Sequence, residues 1–288
     1  MRKRFHARRL FAVFLSLALG FTIAGCGRVG ETVPAAEAPF EGLEVTLFDA
    51  GKADAILLTT PSSAVLIDCG GKEFGPTLVN ELSSRGIGQL DALIVTHFDK
   101  DHVGGAAKLL GSVEVARVLQ SGIPGRGSAY EKYLRVLEKA SLTPEPVREM
   151  LSFTLGGVIY TVEPPQRESY DRDESNNASL IVTAEHGANR LVFMGDAETA
   201  RIAEYLAASP APCGFLKIPH HGQEEKLLGS LIAALQPKYA AITCSGREPE
   251  ASSTAELLAA SGVSTFLTRL GAVRVRSDGV ELQVEYLD

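Results

Sequence analysis

The sequence predicts an α/β protein with sheets sandwiched between layers of helix, and three observations carry that expectation. Short apolar runs of strand length alternate with stretches of helical periodicity. The alternation occurs twice, in two halves of similar size. And 45% of the 288 residues are hydrophobic, enough to fill a core on that scale. Moderate charge and recurrent aliphatic residues exclude a disordered chain.

The N-terminus stands apart from this pattern. Arg2, Lys3, Arg4, Arg8 and Arg9 precede an uncharged apolar stretch from Leu10 to Gly25, which reads as an export signal and is short for a membrane span of about 20 residues. It ends in Ile23-Ala24-Gly25-Cys26, which resembles a bacterial lipobox. The resemblance implies a signal peptide over residues 1–25, a lipid on the Cys26 thiol and a domain on the extracytoplasmic face of a bacterial membrane. Residues 26–41, rich in Gly, Ala, Pro and Glu, read as a flexible tether, and residues 42–288 as one domain.

Loss of residues 1–25 removes five positive charges and no negative ones, taking the net charge from −7 to −12. Such a domain has no global attraction to nucleic acid, although a local basic patch is compatible with it. Cys69, Cys213 and Cys244 are odd in number and carry no CxxC spacing, so they read as buried small residues rather than a disulfide scaffold.

Within the domain, strands are expected at Leu43–Phe48, Ala55–Thr59, Ala64–Ile67 and Ala92–Val95, with helices at Gly75–Arg85 and Ala106–Leu110. Ser121–Glu149 carries a helix near Tyr130–Ala140 that covers one rim. The second half reads as strands at Val158–Val162, Ala178–Thr183, Leu191–Met194, Gly214–Ile218 and Tyr239–Thr243, with helices at Glu198–Ala208, Lys226–Leu235 and Thr254–Ser261.

The chemistry is concentrated after the strand Ala92–Val95. His97, Asp99, Asp101 and His102 fall within six residues, between a buried strand and the Gly104-Gly105 turn. Imidazoles and carboxylates gathered at a strand's C-terminal edge suit one or two divalent ions. Two later segments supply more candidates. Leu191-Val-Phe-Met-Gly195-Asp196 ends an apolar run on a carboxylate, which is either a ligand or an N-cap for the helix after it. Lys217-Ile-Pro219-His220-His221-Gly222 places two histidines after another strand. His186 falls in an expected turn and is given no role.

The run His97-x-Asp99-x-Asp101-His102 resembles the His-x-His-x-Asp-His signature of the metallo-β-lactamase superfamily, with aspartate in place of the second histidine. That variant is similar to the ComEC-like branch, the hydrolase domain of DNA-uptake channels, here in a free-standing lipoprotein form. Phe48-Asp49-Ala-Gly51-Lys52-Ala-Asp54, Leu66-Ile-Asp68-Cys-Gly70-Gly71 and Pro219-His220-His221-Gly222 fit the same branch, and the resemblance extends from about Leu43 to Tyr286.

The resemblance implies a metallo-β-lactamase-like four-layer αββα sandwich. It also implies two divalent ions, zinc or alternatively manganese, held by His97, Asp99, Asp101, His102, Asp196 and His220, with Asp196 as the bridge. Asp101 and His221 would handle protons beside the reacting group. Asp49 and Asp68 would support the site, Asp68 by hydrogen bonding. Asn176 or Asn177 would line it where many members place a third histidine, unless the pair simply forms a turn. The branch's late Asn-x-Tyr-Gly-His-Pro stretch is replaced by Arg247-Glu-Pro-Glu-Ala-Ser.

The activity so implied is hydrolysis by metal-bound hydroxide, with a phosphodiester such as DNA as substrate and a separate uptake channel as a partner. Two other readings stay open: a non-catalytic envelope binding module on the same fold, and a lactone, amide or thioester hydrolase.

The lipobox makes the first prediction. Cys26→Ser should leave an unprocessed precursor or release the domain from the membrane, because a single weak anchor does not hold a protein there. Fractionation with intact-mass measurement checks it, and a normally cleaved variant that stays on the membrane would exclude the lipid.

Overall fold

The computed structural model describes residues 40–170 and 174–287, so the signal, Cys26 and the tether up to residue 39 lie outside the described residues. Two large sheets form the centre. The first has eight strands in the order Leu282–Tyr286, Val273–Ser277, Leu43–Leu47, Ile56–Thr60, Ser63–Ile67, Ala92–Val95, Val118–Ser121 and Glu145–Val147. The second has seven, in the order Ser264–Leu267, Tyr239–Ile242, Phe215–Lys217, Asn189–Phe193, Ile181–His186, Val158–Glu163 and Leu151–Leu155.

The layering follows from strand alternation. In Ile56–Thr60 and its neighbours, Ile56, Leu58, Val65, Ile67 and Ile94 point to the second sheet, where they meet Val158, Tyr160, Val182 and Phe193. The intervening Leu57, Leu66, Leu93 and Val95 point the other way, onto Leu78 and Leu82 of the helix Gly75–Ser84 and Tyr133 and Leu137 of the helix Gly127–Lys139. The second sheet repeats the arrangement: Val192, Leu216 and Ala240 pack outward against Ile202, Leu231 and Leu258 of the helices Thr199–Ala207, Leu228–Leu235 and Ser252–Ala260. Strands buried on both faces read as continuous apolar runs. The result is a four-layer αββα sandwich, as expected from the sequence.

Several elements differ from the sequence reading. Ser121–Glu149 is also a crossover: the helix Gly127–Lys139 joins Val118–Ser121 to Glu145–Val147, which pair in parallel with Leu119 opposite Glu145. Pro146 is tolerated because that strand is an edge. The strand expected at Ala178–Thr183 begins at Ile181, because the Ala178 N–H is turned back to the Ser175 carbonyl and the Leu180 N–H crosses to Thr96. It then runs on to His186, whose Nδ1 meets Ser277 Oγ at 2.9 Å, a structural contact.

The loops that carry the site are knitted by backbone bonds. Cys69 N–H donates to His102 O (2.7 Å), Gly105 N–H to Gly70 O (3.0 Å), Gly70 N–H to Asp54 O (2.7 Å) and Asp54 N–H to Asp101 O (3.2 Å). The approach is so close that a Cβ on Gly105 would stand 2.2 Å from the Cys69 carbonyl oxygen. Gly105→Ala should therefore cost about 1–3 kcal/mol by overpacking. Gly88→Ala, with open space around the added carbon, should stay within about 0.5 kcal/mol of the parent. Denaturant unfolding compares the two; equal midpoints would show that the loops do not need this contact.

Candidate metal centre

Most chemical groups of the site lie just past the C-terminal end of a strand: Asp68 after Ser63–Ile67, His97 to His102 after Ala92–Val95, Asp196 after Asn189–Phe193, His221 after Phe215–Lys217 and Thr243 after Tyr239–Ile242. Strand ends from both sheets open on one rim, the usual place for a site in such folds.

Asp101, His102, Asp196 and His221 offer ligand atoms that all lie within 4.8 Å of one another. His102 Nε2 is 3.2 Å and His221 Nε2 3.1 Å from Asp196 Oδ2, and His221 Nε2 is 3.6 Å from Asp101 Oδ2. His97 packs beside them, its ring tilted against that of His102 with the centroids 4.0 Å apart. Asp99 stands at the mouth, 3.9 Å from His97 Nε2 and accepting a hydrogen bond from Ser175.

Each imidazole is oriented from behind. His102 Nδ1 donates to Asp68 Oδ2 (2.8 Å), and His221 Nδ1 donates to the Thr243 carbonyl (2.8 Å). His97 Nδ1 lies 3.1 Å from Thr96 Oγ1, whose proton is committed to Asp68 Oδ2 (2.6 Å), so the ring nitrogen is the donor. These partners place the proton on Nδ1 and leave Nε2 free to face the centre. The Nε2 atoms of His97, His102 and His221, and Asp196 Oδ1, are buried with no hydrogen-bond partner. Leaving a buried polar atom unmade costs about 1–3 kcal/mol, so the orphaned imidazole nitrogens, two of them facing Asp196 Oδ2, fit a site for a cation, while Asp196 Oδ1 faces Lys217.

The electrostatics agree. Burial alone would strip the proton from His221, yet Asp196, Asp101 and Asp54 hold its pKa up at about 9, and Asp196 and Asp68 likewise hold His102 well above the ordinary range. Burial, helped by the charge on His102, pulls His97 down to about 4. Burial opposes ionisation of Asp196, but His221 and His102 overcome it and hold the carboxylate well below its usual range. The carboxylates thus favour positive charge at the centre, whether proton or metal.

The Asp68 carboxylate takes Thr96 N–H (2.8 Å), Thr96 Oγ1 and His102 Nδ1, on the far side of the His102 ring from Asp196. The histidine pair is a correction in part. His221 enters the cluster, whereas His220 lies with Glu225 (3.3 Å) and Glu198 (3.5 Å), a separate group whose ligand atoms could also hold a cation. Both residues have positive φ, 49° and 52°, and this left-handed step sends successive side chains to opposite sides of the turn.

Asp49 is a second correction. It is exposed, and its Oδ1 accepts the Gly51 N–H; the carboxylate of that turn which reaches the site is Asp54. Asp54 is buried, 2.5 Å from Lys217 Nζ, and accepts from Thr243 Oγ1 (2.6 Å). The signal was two charges set singly in apolar runs, Asp54 between Ala53 and Ala55 and Lys217 after Gly214-Phe-Leu, since buried charges need partners.

Asn176 donates to Glu198 Oε1 (2.8 Å) and lies 3.3 Å from His220 Nε2. Asn177 Oδ1 accepts the Arg201 N–H in the first turn of the helix Thr199–Ala207. The pair therefore borders the His220 side of the site. Cys69, Cys213 and Cys244 are free and buried.

Fold and site together define a metal-site α/β sandwich, and comparison with known proteins gives its family. The sequence model for the metallo-beta-lactamase superfamily matches residues 48–247, and the chain belongs to that superfamily. Among curated proteins it is 31% identical to ComE operon protein 3 of Bacillus subtilis over 220 residues, 69% of this chain and 28% of that protein. It is 26% identical to competence protein ComA of Neisseria gonorrhoeae over 217 residues, 73% of this chain and 27% of that one.

The chain thus spans less than a third of the length of these ComEC-like relatives. Among solved structures, YhfI from Bacillus subtilis, a metallo-beta-lactamase fold protein, aligns at a TM-score of 0.51 and 13% identity over 78% of this chain and 96% of that one. CmlA, a diiron beta-hydroxylase from Streptomyces venezuelae, aligns at 0.54 and 15% over 87% and 55%. At such identities the likeness is one of fold, and CmlA's chemistry illustrates that fold does not fix reaction.

The geometry separates the two adjacent histidines. His221→Ala should lose bound metal, while His220→Ala should retain it, as read by elemental analysis after gel filtration. The opposite order would return the ligand role to His220.

Proposed function

We propose that the chain is a metal-dependent hydrolase acting on phosphodiesters, with DNA as the substrate that its competence relatives suggest. The observation that carries the proposal is the convergence of two buried, unpartnered Nε2 atoms, those of His102 and His221, on Asp101 and Asp196, with the unpartnered Nε2 of His97 on the ring beside His102. A purely structural polar cluster would satisfy those atoms internally. His102, His221, Asp101 and Asp196 would hold one divalent ion. His97 and Asp99, bordering it, would hold the second with Asp196. Zinc suits this imidazole-rich set and manganese its carboxylates. Such ions, when bound, supply Lewis acidity and an acidified water.

The protein's own residues contribute position and proton handling. Asp68 and Thr243 fix the rings, so the centre is ordered before substrate arrives. Asp101 is the more open of the cluster's two carboxylates, with its side chain 25% exposed against 4% for Asp196, and its Oδ2 faces His221 Nε2. In this reading it would orient a nucleophilic water and take its proton. Lys217, paired with Asp54 and 3.6 Å from Asp196 Oδ1, keeps positive charge behind the cluster.

We further propose that residues 1–25 are a signal peptide and that Cys26 is lipidated, with residues 26–41 tethering the domain at 42–288 on the extracytoplasmic face. The pattern Ile23-Ala24-Gly25-Cys26 supports this reading. Among the described residues no helix is long and apolar enough to cross a membrane. A DNA-uptake channel is the partner that the names of the competence relatives suggest.

Asp101→Asn keeps the side chain's shape and removes its charge. The protein should remain folded by circular dichroism while turnover of bis(p-nitrophenyl) phosphate falls by about 10² or more, with loss of one metal equivalent. Wild-type protein that takes up neither zinc nor manganese would overturn the hydrolase reading.

A further inference from the structure

Beside the metal centre runs a groove of about 740 Å³ whose rim is strongly cationic. Lys52, Lys72, Lys100, Lys132, Arg135 and Lys139 line it, and among the described residues Asp101 is the one carboxylate in its lining. This inverts the charge of a chain that carries −7 overall.

The arrangement is built by the fold. Lys132, Arg135 and Lys139 recur at helical spacing along Gly127–Lys139, opposite a face that buries Tyr133 and Leu137. Phe98 of the ligand loop fixes that helix beside the site, packing on Tyr130 at 4.6 Å and Tyr133 at 5.7 Å. Lys52 and Lys72 come from other loops, and Lys100 precedes Asp101 in the ligand loop itself. Lys72 and Arg135 are 84% and 63% exposed, with carboxylates of Glu73 and Glu131 no nearer than 3.9 Å and 3.8 Å. Pairs so exposed neutralise little charge.

Between the cations the floor is apolar, formed by Ala50, Ala53, Val103, Ala107 and Val136. We infer that this groove is the track for an unpaired nucleic-acid strand, with phosphodiesters on the cations and bases on the apolar floor, leading to the metal centre at Asp101. A duplex would present phosphates but leave the floor uncovered. A flat anionic membrane would meet the rim without entering. The inference deepens the phosphodiesterase reading and rests on it for the chemistry at Asp101, whereas the binding it asserts is measurable without turnover.

The test is anisotropy of a fluorescein-labelled oligothymidylate with the full-length chain in detergent, in EDTA and across a salt series. Six contacts predict a slope of log K on log salt of about −4, from roughly 0.7 per phosphate neutralised. Combined Lys132→Glu, Arg135→Glu and Lys139→Glu should weaken binding by about tenfold or more and flatten the slope by about 2. Lys52→Gln with Lys72→Gln, on the other wall, should weaken it independently. The same charge reversal at Arg148, Lys226 and Lys238, exposed residues outside the groove lining, should retain wild-type affinity. Equal loss in that control, a duplex bound as tightly as the single strand, or preferential capture by phosphatidylglycerol vesicles would overturn the track. Because no hydrolysis is read, an inactive protein that binds the strand would fail the proposed activity alone, and an active one that does not bind it would fail the track alone.

Discussion

Asp68 is the constraint around which the site is arranged. Fully buried, it takes the Thr96 N–H, the Thr96 hydroxyl and the His102 ring, thereby joining the end of one strand to the ligand loop that follows its neighbour. Its φ of 58° turns the chain sharply at that point. Burial pushes its pKa up, against the pull of His102 and Thr96, so the carboxylate is held by its partners rather than by solvent. Asp68 orients His102 directly, and through Thr96 it fixes the tautomer of His97.

Lys217 and Asp54 form the complementary constraint from the opposite sheet. Both are fully buried, and Lys217 also donates to the Gly195 carbonyl at 2.9 Å. A buried pair of this kind is weak evidence for net stability, since apolar residues can often replace both members, but removal of one partner typically costs about 3–5 kcal/mol. Its value here lies in position. Asp54 accepts from Thr243, Thr243 accepts from His221, and Lys217 faces Asp196. The second sheet's ligands are thereby registered to a loop of the first sheet.

Much of this architecture was legible in the sequence because strands buried on both faces announce themselves as uninterrupted apolar runs. Ala92–Val95 is one, and its bounds agree between sequence and structure. The strands Val273–Ser277 and Leu282–Tyr286 are absent from the sequence reading, which follows continuous apolar runs, although their alternation, Val-Arg-Val-Arg and Leu-Gln-Val-Glu, is the pattern of strands with one face turned partly to solvent. The candidate ligand loop was legible for the same reason as its strand, since four histidine and aspartate side chains follow directly after it. The choice between His220 and His221 was not, because it depends on a left-handed backbone step that a pair of identical residues does not reveal. Nor was Asp54, whose role depends on Lys217, more than 160 residues away in sequence.

The separation of charge within the molecule gives the site its direction. The imidazoles are buried behind Asp196, and their protons point away from the centre to Asp68, Thr96 and Thr243, so the inner wall is closed. Asp101 alone among the four clustered ligands retains substantial exposure, and its neighbour Lys100 belongs to the cationic rim. Carboxylates that attract cations therefore lie inside, and cations that attract anions lie outside, within one turn of the short helix Lys100–Val103. A uniformly acidic surface would repel a phosphodiester from the acidic centre, and a uniformly basic one would repel the metal. Placing opposite charges on successive residues of one loop would let both approach the same point from different sides.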